Sequence, residues 1–154
     1  MEVNHKACDR NGRMWGDISD TYETIQENVT MQSSMILYSL TRAKDSHKIC
    51  EVGAGWGLAS RMFISDMMKE DSYYFASDIS EKMNDKFKEG FAKSDCSLNK
   101  KTEYNWLEDS DKIDVIDKVS KWDESIRKKI FHHKANNECL PYTEESFDCY
   151  LASL

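Results

Sequence analysis

The residues best placed to do chemistry are Glu51-Val52-Gly53-Ala54-Gly55-Trp56-Gly57, with Asp78 beyond them. Glycines at alternate positions let the backbone turn sharply and let a ligand approach where a Cβ would collide. A helix opening after such a turn presents unpaired N–H groups and the positive end of its dipole. Asp78 stands 21 positions past Gly57, and a carboxylate there can accept hydrogen bonds from both hydroxyls of a ribose. Nucleotide binding is therefore the chemistry to expect. A dinucleotide fingerprint G-x-G-x-x-G starting at Gly53 requires Gly or Ala at position 58, where this chain has Leu58, which disfavours a nicotinamide-binding domain. No Lys followed by Ser or Thr comes after the turn, so a phosphate-cradling P-loop is excluded.

The elements that must position these groups follow from periodicity. Residues 47–52 read as a strand running into the glycine turn, and Leu58, Met62, Ile64 and Met68 resume helical spacing. The aromatic run 73–76 suits a second strand closed by Ser77-Asp78, and Ser80 is an N-cap, without the full capping box, for a helix to about Lys93. Residues 47–93 thus form a βαβα unit, which needs a parallel sheet with right-handed crossovers. Residues 130–134 read as a third strand, Asn136-Asn137-Glu138 as a turn, and 146–154 as a buried fourth strand.

Around this unit, residues 1–16 are polar, contain Gly12 and Gly16, and read as a flexible arm. An amphipathic helix, broken near Thr30, is expected over 18–42. Residues 17–154 make up one partial cofactor-binding domain. Within it, about 99–128 read as a charged helical insertion whose stripe is Ile113, Ile116, Val119, Trp122 and Ile126.

The chain has 154 residues, 40% hydrophobic and 32% charged, a soluble globular composition sufficient for one core that buries roughly 70% of the unfolded surface. A net charge of −7 argues against a general binder of nucleic acid. No apolar run approaches the length of a membrane span, and residues 1–6 lack the apolar stretch of a leader, so the expected location is cytoplasmic, with no membrane partner. The 5 cysteines are scattered without a Cys-x-x-Cys pair and read as reduced thiols, Cys139 and Cys149 as core or near-core ones. His132 and His133 would point to opposite faces of a strand, so no metal site is expected. Trp56 reads either as packing under the helix or as a cap on the pocket.

The spacing acidic-x-G-x-G-x-G, with an acidic residue ending the next strand, resembles the class I S-adenosylmethionine-dependent methyltransferases. Farther along, Asn136-Asn137-Glu138-Cys139-Leu140-Pro141-Tyr142 and then Ser146-Phe147-Asp148 look like the segment "D-A-x-x-L-P-F … S-F-D" of the small-molecule enzymes of ubiquinone, menaquinone and sterol type. Trp15-Gly16-Asp17 and Tyr22 are similar to the family's amino-terminal helix, which folds over the cofactor. The resemblance implies a Rossmann-like α/β fold with flanking helices and an incomplete parallel sheet in the order 3-2-1-4, the strands after the fourth being absent. It implies S-adenosyl-L-methionine as cofactor and a small-molecule methyl acceptor. The implied binding set is Gly53, Gly55 and Gly57 with Ala54 in the turn, Asp78 at the ribose, Ile79 as a further cofactor contact, Asn136 and Asn137 at the adenine, and Glu51 at the methionine end, directly or through water. Asn136 replaces the usual Asp, and its side-chain oxygen can still accept from an amino group. No residue stands out as a catalytic base. The alternative is a truncated, inactive cofactor-binding or interaction module. An uncovered edge along the fourth strand would favour self-association there.

Overall fold

Short apolar runs alternating with helical spacing give a parallel sheet with helices against it. The computed structural model describes residues 5–25, 27–94, 101–108, 112–120 and 125–152. The elements run α1 (His5–Ile25), α2 (Glu27–Leu40), β1 (Lys48–Val52), α3 (Leu58–Asp66), β2 (Ser72–Asp78), α4 (Glu81–Ala92), β3 (Thr102–Trp106), α5 (Val115–Ser120), β4 (Lys128–Lys134) and β5 (Cys149–Ala152). The sheet is five-stranded, in the order β3-β4-β2-β1-β5, and every pairing is parallel. Burial follows position: central β1 and β2 are buried almost throughout, while edge strand β5 alternates buried Cys149 and Leu151 with exposed Tyr150 and Ala152.

Each face of the sheet has its own packing. Ile49, Tyr74, Ile130 and Leu151 meet Tyr38, Phe63 and Phe87 from the helices in one cluster, and Phe75 and Phe131 pack with Ile113, Val115, Tyr142 and Phe147 in another. The adjacent histidines divide between them. His132 is buried against Phe87, with ring centroids 4.0 Å apart, and His133 bonds the Tyr142 hydroxyl. Burial, with the His133 and Lys88 charges, pushes His132 well below the usual imidazole range, so it stays neutral.

Four readings from the sequence are corrected. The order 3-2-1-4 gains a strand: β3, inside the region taken as a helical insertion, lies outermost beside β4. The stripe on Ile113 to Ile126 is not one helix. Among the described residues α5 covers Val115–Ser120, Ile116 is exposed, Ile113 bridges Tyr142 and Ile126 precedes β4, while Trp122 lies outside the described residues. The arm is helical from His5, residues 1–4 being outside the described set. Cys139 is exposed in the turn after β4 instead of packed in the core, unlike Cys149.

Asp148 ties β5 to β1. Its Oδ2 accepts the backbone N–H groups of His47 and Lys48, both at 2.9 Å, and its own N–H donates to the Lys48 carbonyl. Burial pushes its pKa up, but the two N–H bonds and the nearby positive charges outweigh that and hold it below the usual carboxylate value. A depressed folded-state pKa stabilises above the unfolded pKa, and the contribution is lost as pH falls through the folded one. We expect Asp148→Ala to cost about 1 kcal/mol at pH 7, the exposure of the group limiting the loss. The gap in Tm between wild type and variant should close on acidification below about pH 4. Melting both proteins at neutral and acid pH checks this, and an equal gap at both would remove the charge from the explanation.

Candidate functional site

A cavity of about 350 Å3 opens beyond the carboxyl ends of β1, β2, β4 and β5, where ligands bind in open α/β sheets. Its walls include Gly53 and Gly55 from the turn after β1, Asp78 and Ile79 from the end of β2, and Asn136 and Asn137 from the loop after β4. A smaller recess of about 40 Å3 shares Tyr22, Gly53 and Gly55 with it and reaches Glu51, Ala54 and Gly57. Every residue that the sequence reading assigned to the cofactor therefore borders one of these adjoining spaces. They come from three separate stretches of chain, which only the fold brings together.

Asp78 is the buried charge of the larger cavity. Its Oδ2 accepts the Gly55 N–H at 3.0 Å, and its Oδ1 accepts the Ser80 N–H at 2.8 Å. One carboxylate thus fixes both the glycine turn and the start of α4, where the Ser80 side chain caps by accepting the Met83 N–H at 3.3 Å. Burial raises the Asp78 pKa, the Ser80 and Gly55 N–H bonds pull it back, and the Glu51 charge adds a smaller upward push.

Glu51, only 1% exposed, sits in a cage of hydroxyls. Its Oε1 accepts from Tyr38 at 2.8 Å, and its Oε2 accepts from Ser60 and Tyr74, each at 2.5 Å. Burial first, and then the Glu51 charge, lifts both tyrosines far above their ordinary pKa, so both remain donors. The carboxylate thereby joins α2, α3, β1 and β2, and Glu51 itself borders the recess.

The glycines of the turn differ in what they do. Gly55 has φ +55° and no atom within 4 Å of where a Cβ would stand, so its open side is space a ligand can enter. Gly57 has φ +72°, and a Cβ there would lie 2.2 Å from the Phe87 ring. Beyond β4, Asn136 Oδ1 accepts the Glu138 N–H at 3.1 Å in an Asx turn, and Asn137 Oδ1 accepts from the Tyr150 hydroxyl at 2.6 Å. A carbonyl oxygen has two lone pairs, so Asn136 can accept a second donor.

The front wall is α1. Asn11, Trp15 and Tyr22, spaced to share one face of the helix, line the cavity, as does Met83 of α4. Asn11 and Met83 were not foreseen. A Cβ on Gly12 would come within 3.1 Å of the Ile79 carbonyl oxygen, so the glycine read as a loop signal permits close helix packing. Asp20 anchors the helix to α4, its carboxylate 2.8 Å from Lys86 and 2.9 Å from Lys82, and these bonds hold its pKa down at about 2.

Among the described residues no group of three or more His, Cys, Asp or Glu could hold a metal, and no helix is long and apolar enough to cross a membrane. Comparison with known proteins finds no matching family model, no matching curated protein and no matching solved structure.

Proposed function

We propose that the chain binds S-adenosyl-L-methionine and belongs to a methyltransferase acting on a small molecule. The observation that carries this reading is the single cavity shared by the glycine turn, Asp78 and Asn136-Asn137. Its volume falls in the range of small-molecule sites, and the open side of Gly55 is a cradle that a side chain would fill. Asp78 would take the ribose hydroxyls and Asn136 the adenine amino group, with the backbone of Gly53 and Gly55 against the nucleoside. The recess by Glu51, Ala54 and Gly57 would receive the amino-acid end.

Bound there, the cofactor supplies a methyl group on a sulfonium, open to displacement by a nucleophilic O, N or C. The chain's contribution is proximity and alignment. Tyr22 and Trp15 close the front of the cavity and limit water, and Glu51, held by three hydroxyl donors, keeps the recess in shape. A base is required only for a nucleophile that must lose a proton.

Titration calorimetry with S-adenosylhomocysteine, NAD and ATP tests the reading. We expect S-adenosylhomocysteine to bind and Asp78→Asn to weaken it about tenfold, or about 1.4 kcal/mol, through loss of a charged acceptor. Hydroxyl donors favour the ionised carboxylate, and the free-state pKa of Asp78 is raised above 3.8. Affinity should therefore be level near neutrality and fall with acidification at a higher pH than an ordinary Asp would give. Binding of NAD or ATP in preference, or an Asp78→Asn affinity equal to wild type, would overturn the assignment.

A further inference from the structure

The helix α2 is covered on one side only. Ser34 and Tyr38 are buried and Met35 packs against the core, whereas Val29, Ile36 and Leu40 are 66%, 60% and 77% exposed. At 3.6 residues per turn, Val29, Ser33, Ile36 and Leu40 fall within an arc of about 60°, on the side opposite Tyr38. Their spacing of four, three and four is that of the seam between two coiled helices. None of the four borders the cavity or the recess of the candidate site.

This face is uncharged in a highly charged chain. Residues 28–41 include no Asp, Glu, Lys or Arg, although such residues make up 32% of the sequence. The exposed serines of the helix are turned back on it: Ser33 Oγ donates to the Val29 carbonyl at 3.3 Å, and Ser39 Oγ to the Met35 carbonyl at 3.1 Å. Their hydrogens are already used, so covering them strands no donor.

The seam also identifies its occupant. Laid antiparallel on a second copy of itself about a two-fold axis, it sets Val29 against Leu40 and Ser33 against Ile36, a smaller side chain meeting a larger one at each step. The same register brings Glu27 and Arg42, the charged residues that bracket the uncharged stretch, opposite each other with opposite signs. A parallel pairing would set each against its own like. With a net charge of −7 on each copy, two molecules repel over much of their surface, and the uncharged helix is where contact is least opposed.

We propose that α2 is a homodimer interface, two copies packing antiparallel along Val29, Ser33, Ile36 and Leu40. The contact removes the exposed apolar stripe from water on both copies. One seam of a 14-residue helix is a small interface, so a dissociation constant of about 10 to 100 μM is expected. The proposal is independent of what the candidate site binds.

Sedimentation equilibrium of the wild-type chain over about 5 to 500 μM tests it, and should show monomer giving way to dimer across that range. Ile36→Lys and Leu40→Lys should each raise the dissociation constant at least about tenfold, while Ile116→Lys, at a comparably exposed isoleucine on α5, should leave it unchanged. A wild-type chain still monomeric at the highest concentration, or a dimer that both α2 substitutions leave intact, would overturn the proposal. Equal loss with Ile116→Lys would mean unspecific apolar association and would overturn it too. Oxidising a mixture of Val29→Cys and Leu40→Cys proteins should join position 29 of one copy to position 40 of the other, read by mass spectrometry of the linked peptides. Links of each position to itself would overturn the antiparallel register. The wild-type concentration series decides the matter even if a variant fails to fold.

Discussion

Glu51→Leu should cost about 3 to 5 kcal/mol, enough to unfold a domain of marginal stability. The carboxylate accepts from Tyr38, Ser60 and Tyr74 in a buried setting. A leucine would strand three hydroxyls, each costing about 1 to 3 kcal/mol if it finds no other acceptor. The tyrosine hydroxyls are 3.3 Å apart and can bond each other, which holds the total below the simple sum. Glu51→Gln keeps the shape and one acceptor but turns an NH2 group toward hydroxyls that also donate, so an intermediate loss is expected. Removing the donors along with the acceptor, in Tyr38→Phe, Ser60→Ala, Tyr74→Phe and Glu51→Leu together, should recover much of the loss, because an apolar replacement of the whole network strands nothing. Urea denaturation curves of the series decide it. A Glu51→Leu protein within about 1 kcal/mol of wild type would show that the hydroxyls are satisfied elsewhere and that the cage does not join α2 to the sheet.

That cage was not legible in the sequence, and the reason is physical. Glu51 was marked by its place before the glycines, but nothing local announces that Tyr38 on α2 and Tyr74 on β2 point at it, since those contacts exist only once the sheet has formed. The stretch from β1 through the turn, α3, β2 and Asp78 to α4 could be read because each boundary has a local cause. The period changes at the glycines, and the Ser80 hydroxyl caps the helix where its position required. β3 escaped because charged neighbours hid its alternation: Tyr104 and Trp106 project toward Phe91 and His132, and Glu103 and Asn105 alternate with them along the strand. The helix α1 was missed for a related reason. Gly12 and Gly16 are breakers in isolation, and their use as contact points against Ile79 and Ser80 depends on a partner 60 or more residues away. For the candidate site, the residues carrying local signals, Gly53, Gly55, Asp78 and Asn136, do gather at one cavity, whereas Asn11 and Met83 join it only through helix packing.

The turn itself yields the second large effect, because its glycines are required for different reasons. Gly57→Ala should lose about 2 to 5 kcal/mol: about 1 to 2 for a side chain in the left-handed region at φ +72°, and about 1 to 3 for a Cβ driven to 2.2 Å from the Phe87 ring. The ring is held by the His132 stack, so it cannot swing away without opening the core. Gly55→Ala carries only the left-handed cost at φ +55°, because its Cβ meets nothing. The folded Gly55→Ala protein should then show weakened S-adenosylhomocysteine binding, since the methyl group stands in the ligand's approach, whereas in Gly57→Ala binding and the cooperative melt should fail together. Phe87→Leu added to Gly57→Ala should restore the packing share and leave the backbone share, a partial rescue readable as a Tm between those of Gly57→Ala and wild type. A Gly57→Ala protein that melts like wild type would mean that Phe87 yields freely. Unaltered binding in folded Gly55→Ala would place the ligand away from this turn. The outcomes are separable because a Cβ at Gly57 meets Phe87 and one at Gly55 does not, so that the spacing G-x-G-x-G joins a requirement of the ligand to a requirement of the core.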